Sequence, residues 1–219
     1  MGSYSILMSK HEIFDRHLDD YENWFIEHAL AYASELRAVR KLIPPAGAVL
    51  EVGVGSGRFS APLQIPFGVD PSFAMLRLAH KRGTRVASGT GEHLPAKTGV
   101  LDAVLMVTTL CFLDEPERAL LEIHRALKPG GALVCGFVDA QSALGKAYAA
   151  QREQNPFYKD ARFFTAAEVR DLMEKAGFTM REVMQTLFQP LEKMQEPEDP
   201  RPGTGAGSFV VLKGIKIGR

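Results

Sequence analysis

The sequence is short of several things, and each absence narrows its class. It holds two cysteines in 219 residues, Cys111 and Cys135. Each sits in an apolar stretch without the short spacing of a metal clip or redox pair, which argues against a disulfide framework and fits a reducing compartment. Charge of one sign is lacking too, because 26 Lys and Arg balance 26 Asp and Glu, so no overall field favours nucleic-acid phosphates or an anionic bilayer. No run approaches the ~20 apolar residues that span a membrane, and the first ten residues lack a basic segment followed by an apolar core. A soluble, cytoplasmic protein is expected, with no nucleic-acid partner, no membrane and no metal. What is present is a 46% hydrophobic content, enough for one well-covered core with small additions.

From His11 to Ile43 the residues Leu18, Tyr21, Phe25, Ala29, Tyr32, Leu36, Val39 and Ile43 recur at intervals of three or four until Pro44-Pro45. That is helical spacing, long enough to predict two helices with a break near Tyr21 to Trp24. Ala48 to Val52 is short, apolar and bounded by Gly47 and Gly53, as a buried strand is. Strand and helix then alternate: Pro66 to Asp70, a helix from Ser72 to Arg82, Thr84 to Ala87, Leu101 to Val107, a helix ending at Leu127, and Ala132 to Val138. Parallel neighbours need crossover helices, so a parallel sheet is implied. A looser stretch runs to Arg162, Thr165 and Glu168 form a capping box for a helix ending at Gly177, and Phe178 to Leu187 and Ser208 to Lys216 are extended. Between them Gln189 to Gly207 is rich in proline and glycine, and reads as a mobile loop.

The fold expected is a doubly wound α/β domain over residues 45–219. It has a mostly parallel seven-stranded sheet with helices on both faces and an antiparallel last strand. Residues 1–44 form a helical cover and 141–164 an insertion on the substrate side.

The informative site is Glu51-Val52-Gly53-Val54-Gly55-Ser56-Gly57. Alternating glycines leave the backbone bare, so a ligand can press against it while amides of the following helix point outward. A dinucleotide fingerprint would need glycine or alanine at 58, where Arg58 stands, which disfavours a nicotinamide or flavin cofactor. The Glu51 carboxylate is costly to bury unless it meets a cation, and a ligand ammonium would satisfy it. Asp70 ends the second strand, where an acceptor can hold both ribose hydroxyls of a nucleoside; it could also merely cap the next helix.

Four segments together carry a resemblance. Val49 to Gly57, Gly68-Val69-Asp70-Pro71-Ser72, Gly89-Thr90-Gly91-Glu92-His93-Leu94-Pro95 and Leu127-Lys128-Pro129-Gly130-Gly131 resemble, in order and spacing, motifs of the class I S-adenosylmethionine-dependent methyltransferases. The likeness is to the small-molecule branch related to quinone biosynthesis. It implies that S-adenosylmethionine is the cofactor, with Glu51 at the methionine amino group, Gly53 and Gly55 beside the methionine part, Asp70 at the ribose and Thr90 to His93 at adenine. The family commonly has aspartate where Thr90 stands. The implied cofactor-binding set is Glu51, Gly53, Gly55, Gly57, Asp70, Pro71, Thr90, Gly91, Glu92, His93, Val107 and Thr108, with Thr109 beside it at the end of the fourth strand.

The sulfonium methyl is already activated, so the protein's main task is to align an acceptor and exclude water. No catalytic residue is assigned; His11, His17, His93, Asp139, Tyr148 and Tyr158 are the polar residues in segments that could border the cleft as a base. Tyr21, Trp24 and Phe25 form either an aromatic wall at the site or plain helix core. The acceptor expected is a small molecule. Two alternatives stand beside this reading, a non-catalytic S-adenosylmethionine sensor or partner subunit and a nucleotide-cofactor enzyme on a related fold.

Overall fold

A computed structural model describes residues 12–45 and 47–218. The amino-terminal helical pattern forms α1 (Glu12–Arg16), α2 (Leu18–Glu27) and α3 (Ala29–Leu42). The breaks fall at His17 and His28, whose φ and ψ near −112° and 40° leave the helical region, and not at Tyr21 to Trp24. The apolar spacing runs through both junctions and so does not reveal them. Then follow β1 (Val49–Val52), α4 (Ser60–Leu63), β2 (Phe67–Asp70), α5 (Phe73–Lys81), β3 (Arg85–Ser88), β4 (Leu101–Val107), α6 (Pro116–Ala126) and β5 (Leu127–Val138). The rest is α7 (Ala143–Ala150), α8 (Ala166–Lys175), β6 (Phe178–Thr186), β7 (Arg201–Pro202) and β8 (Phe209–Lys216). The capping box at α8 forms as read, Thr165 and Glu168 serving each other's backbone amides.

One sheet takes the order β3-β2-β1-β4-β5-β8-β6-β7. β1 to β5 are mutually parallel, and β8 inserts antiparallel between β5 and β6. The count is eight and not seven because two residues, Arg201 and Pro202, pair with Met184 and Gln185 of β6. Their Pro/Gly-rich surroundings hid this strand. The strand order reverses at β1 and β4, and beyond the carboxyl ends of that pair an open α/β sheet has its ligand crevice.

The apolar run of β4 alternates between two cores. Val104 and Met106 pack with Leu120 and Ile123 of α6 on one face. Ala103, Leu105 and Val107 pack with Val39, Leu42 and Phe209 on the other, as the period of two requires in a strand covered on both sides. α3 is thus a layer of this second core. The segment 189–207 is pinned to it: the Glu198 amide donates to Ser34 Oγ at 2.8 Å, and Arg37 donates to the Pro197 carbonyl at 2.8 Å.

Candidate active site

The turn after β1 is built from backbone. The amides of Gly53 and Val54 donate to the Val69 carbonyl at 2.8 and 3.0 Å, and the Gly55 amide donates to Asp70 Oδ2 at 2.9 Å. Gly53, Gly55 and Gly57 have φ of +70°, +50° and +84°, in the left-handed region that disfavours a Cβ. Each also has its own neighbour. A Cβ on Gly53 would overlap Thr109, one on Gly55 would stand 2.8 Å from the Tyr21 hydroxyl, and one on Gly57 would stand 3.0 Å from the Ala79 Cα. Gly57 therefore serves close packing against α5. The helix that follows, α4, is a single turn of four residues ended by Gln64 at φ +58°, so the outward-pointing helix amides expected here amount to little.

Asp70 is held as firmly. Its Oδ2 takes the Gly55 amide and its Oδ1 takes the Ser72 amide at 2.9 Å. The cap of α5 is Ser72, whose hydroxyl accepts from the Met75 amide at 3.1 Å. These two bonds fix the carboxylate at the tip of β2.

These strand tips surround a cavity of about 430 Å³. Of the sequence-derived set, Gly53, Gly55, Asp70, Pro71, Thr90, Gly91, Glu92, Val107 and Thr108 line it. Glu51, Gly57 and His93 do not. His93 is exposed and turns outward to Arg118. Glu92 lines the wall, but its Oε1 accepts from the amides of Asp114 and Glu115 at 3.1 and 3.3 Å, which fixes the loop entering α6. Gly91 packs against that helix, where a Cβ would stand 3.2 Å from the Ala119 Cβ. Thr108 has φ +49°, a strained conformation for a β-branched residue and one that clusters at ligand sites. Thr109 Oγ1 donates to the Val107 carbonyl at 3.0 Å.

Glu51 lies beneath the turn, 2% exposed. Ser60 donates to its carboxyl from hydroxyl and amide, yet Oε2 is buried with no partner. Burial above all, with the Asp70 charge added, pushes its carboxyl from 4.5 up to about 8. A cation brought against that oxygen would satisfy it.

The walls that sequence reasoning missed come from distant segments. Phe14, Met75, Phe112, Leu113, Asp114 and Asp160 line the cavity, and no spacing in the sequence marks them. Tyr21 lines it too, so the aromatic cluster divides: Tyr21 faces the site, while Phe25 is 8% exposed in the second core. Burial first, then the charges of Asp70 and Glu51, hold the Tyr21 phenol far above its ordinary pKa. Next to it Glu22 receives Arg58 and Arg82 together, and Arg82 Nη1 also donates to the Ser56 carbonyl at 2.6 Å. Arg58, the residue that breaks a dinucleotide fingerprint, is thus a post between α2 and the glycine turn.

None of the described base candidates lines the cavity. His17 pairs with Asp20 at 3.0 Å, Asp139 accepts from the Gln141 amide at 2.8 Å, and Tyr148 stacks on Tyr158 at 4.6 Å between centroids. His11 lies outside the described residues.

Comparison with known proteins agrees with this geometry. A family described as methyltransferase domain matches residues 50–135. A solved S-adenosylmethionine-dependent methyltransferase of Thermotoga maritima, described as a possible histamine N-methyltransferase, is 50% identical with a TM-score of 0.92, over 94% of this chain and 99% of that one. The chain belongs to the S-adenosylmethionine-dependent methyltransferases. This methyltransferase is also 39% identical to an uncharacterized protein of Methanocaldococcus jannaschii over 94% of its own length and 99% of the relative's. To the malonyl-[acyl-carrier protein] O-methyltransferase of Geobacter sulfurreducens it is 30% identical over 76% of its own length and 70% of the relative's. S-adenosylmethionine is accordingly its cofactor, and the buried orphan oxygen of Glu51 and the bare turn at Gly53 and Gly55 fit that cofactor. Among the described residues no helix is long and apolar enough to cross a membrane.

Proposed function

We propose that this methyltransferase moves the methyl group to a small-molecule acceptor enclosed between the strand tips and a cover made of α1, α2 and the segment 141–164. The observation that carries the reading is the cavity roof. Phe14 of α1 meets Phe112 after β4 edge-on at 5.0 Å and Phe157 at 5.3 Å, an aromatic cover that supports a compact acceptor over a cavity of about 430 Å³. In this reading Glu51 takes the methionine ammonium, Asp70 the ribose hydroxyls, and the loop Thr90 to His93 borders adenine through Thr90, Gly91 and backbone groups, with Glu92 and His93 turned to other partners. Bound S-adenosylmethionine supplies an electrophilic methyl carbon. The chain's part is positioning: Tyr21, kept protonated, closes over Gly55, and Phe14 and Phe112 exclude water. Two free cysteines, Cys111 and Cys135, suit the reducing cytoplasm expected.

Glu51→Gln separates ligand binding from stability. The substitution replaces a buried acid that the ligand-free fold keeps protonated, so the melting temperature holds or rises, while a charged hydrogen bond worth about 1.5–3 kcal/mol is lost from the ligand, a tenfold or greater weakening of S-adenosylhomocysteine binding. Calorimetry showing unchanged affinity would overturn the assignment. For the acceptor, methyl-labelled cofactor incubated with a heat-treated cell extract should label the small-molecule fraction. Label in protein or nucleic acid alone contradicts the proposal.

A further inference from the structure

The lining of the cavity is lopsided in charge. Among the described residues it carries Asp70, Glu92, Asp114 and Asp160, and no lysine, arginine or histidine. Two of these carboxylates belong to the framework, since Asp70 takes the Gly55 and Ser72 amides and Glu92 those of Asp114 and Glu115. Asp160 is different. It comes from the segment after α7, outside the strand-tip loops, and is exposed at the cavity rim. The Arg162 amide donates to the Cys111 carbonyl at 2.8 Å, which docks that segment on the residue next to Phe112. Three aromatic side chains meet at the same end: Phe14 lies edge-on to Phe112 at 5.0 Å and to Tyr21 at 6.0 Å.

Resting on the methyl-transfer reading above, we propose that the acceptor is a small aromatic amine, its ring among Phe14, Tyr21 and Phe112 and its nitrogen toward Asp160. Ring faces and a carboxylate both attract an ammonium group. An acceptor that carries a carboxylate, as a malonyl thioester does, would meet Asp160 and find no cation among the described lining residues to pair with. The acid lining also offsets the repulsion between a cationic acceptor and the cofactor's sulfonium. Before reaction the ammonium gives one proton through the Asp160 carboxylate to water. The nitrogen lone pair then forms the C–N bond as the C–S bond breaks, the sulfur keeps that electron pair, and the products are the N-methylated ammonium and S-adenosylhomocysteine.

The test uses the full chain saturated with S-adenosylhomocysteine and two probes that share a phenylethyl group and carry opposite charge, 2-phenylethylamine and 3-phenylpropionate. The amine should bind at least tenfold more tightly than the acid. Asp160→Asn should weaken the amine at least fivefold and leave the affinity for S-adenosylhomocysteine unchanged. The proposal is overturned if the acid binds as well as the amine, if Asp160→Asn leaves amine affinity unaltered, or if a protein that binds S-adenosylhomocysteine takes no amine. If S-adenosylhomocysteine itself fails to bind, the cofactor site falls and takes the acceptor with it.

Discussion

At the strand tips the polypeptide holds its shape by backbone: Gly53, Val54 and Gly55 donate amides to the Val69 carbonyl and to Asp70, and three glycines occupy left-handed dihedrals. In the cover above them the work is done by side chains from remote segments. Glu22 joins Arg58 and Arg82, the Ser72 hydroxyl meets Asp15 Oδ1, and Phe14 spans Phe112 and Phe157. A backbone site dictates residue types at short spacing, because few residues adopt those dihedrals or fit so close. A side-chain site needs only charge or bulk at some position, and many residues supply either.

The difference predicts unequal responses to damage. The heaviest blow is removal of residues 12–42, because Phe25, Ala31, Ala38, Val39 and Leu42 belong to the core on one face of the sheet. Buried side chains the size of Phe25, Val39 and Leu42 contribute about 1.5–3 kcal/mol each, together comparable to the ~5–15 kcal/mol that holds a domain folded. Circular dichroism should show an unfolded remainder. A truncated protein that folds and binds S-adenosylhomocysteine would show that the strand tips need no cover.

Within the tips, Gly55→Val adds a branched side chain where φ is +50° and the Tyr21 hydroxyl is 2.8 Å from the first added carbon. Binding of S-adenosylhomocysteine should fall at least a hundredfold in equilibrium titration, with about 1–2 kcal/mol lost from stability for the left-handed dihedral. Parent affinity in a folded variant would refute the close approach at this turn.

Glu22→Ala should do least to ligand binding. It leaves Arg58 and Arg82 facing each other, with Glu22 17% exposed beforehand, and a partly buried pair of this kind is worth about 1–3 kcal/mol. Thermal melting should show that loss. Titration should show a few-fold weaker ligand, because Tyr21 is no longer held over Gly55. Ligand affinity unchanged despite the lost stability would mean that the cover and the tips act independently.

The same contrast explains what the sequence disclosed. Alternating glycines, an acid at the end of β2 and apolar strands of fixed length gave the sheet, its switch point and nine cavity-lining residues. The glycine pattern does not say which glycine faces a ligand and which packs on a helix, so it groups Gly57, which packs on Ala79, with the other two. His93 and the carboxylate of Glu92 sit in the right loop but turn to Arg118 and to the start of α6, since a loop's position does not fix which way its side chains point. The breaks at His17 and His28, the strand of Arg201 and Pro202, and the docking of Arg162 on Cys111 that brings Asp160 to the cavity depend on contacts between segments far apart in the chain. Local spacing carries no trace of them.

The most direct test of the whole account is whether ligand binding ionises Glu51. Its carboxyl is raised from 4.5 to about 8, so the folded protein without ligand holds a proton there that the unfolded chain has lost, and its stability falls as pH rises across that window. An ammonium placed against Oε2 favours the ionised form. At pH 7 binding of S-adenosylhomocysteine should therefore release about one proton from this group, seen by calorimetry as a binding enthalpy that varies with the buffer's ionisation enthalpy. The release should vanish at pH 9 and in Glu51→Gln. Binding at pH 7 with no buffer dependence, or with a dependence that persists in Glu51→Gln, would contradict the account.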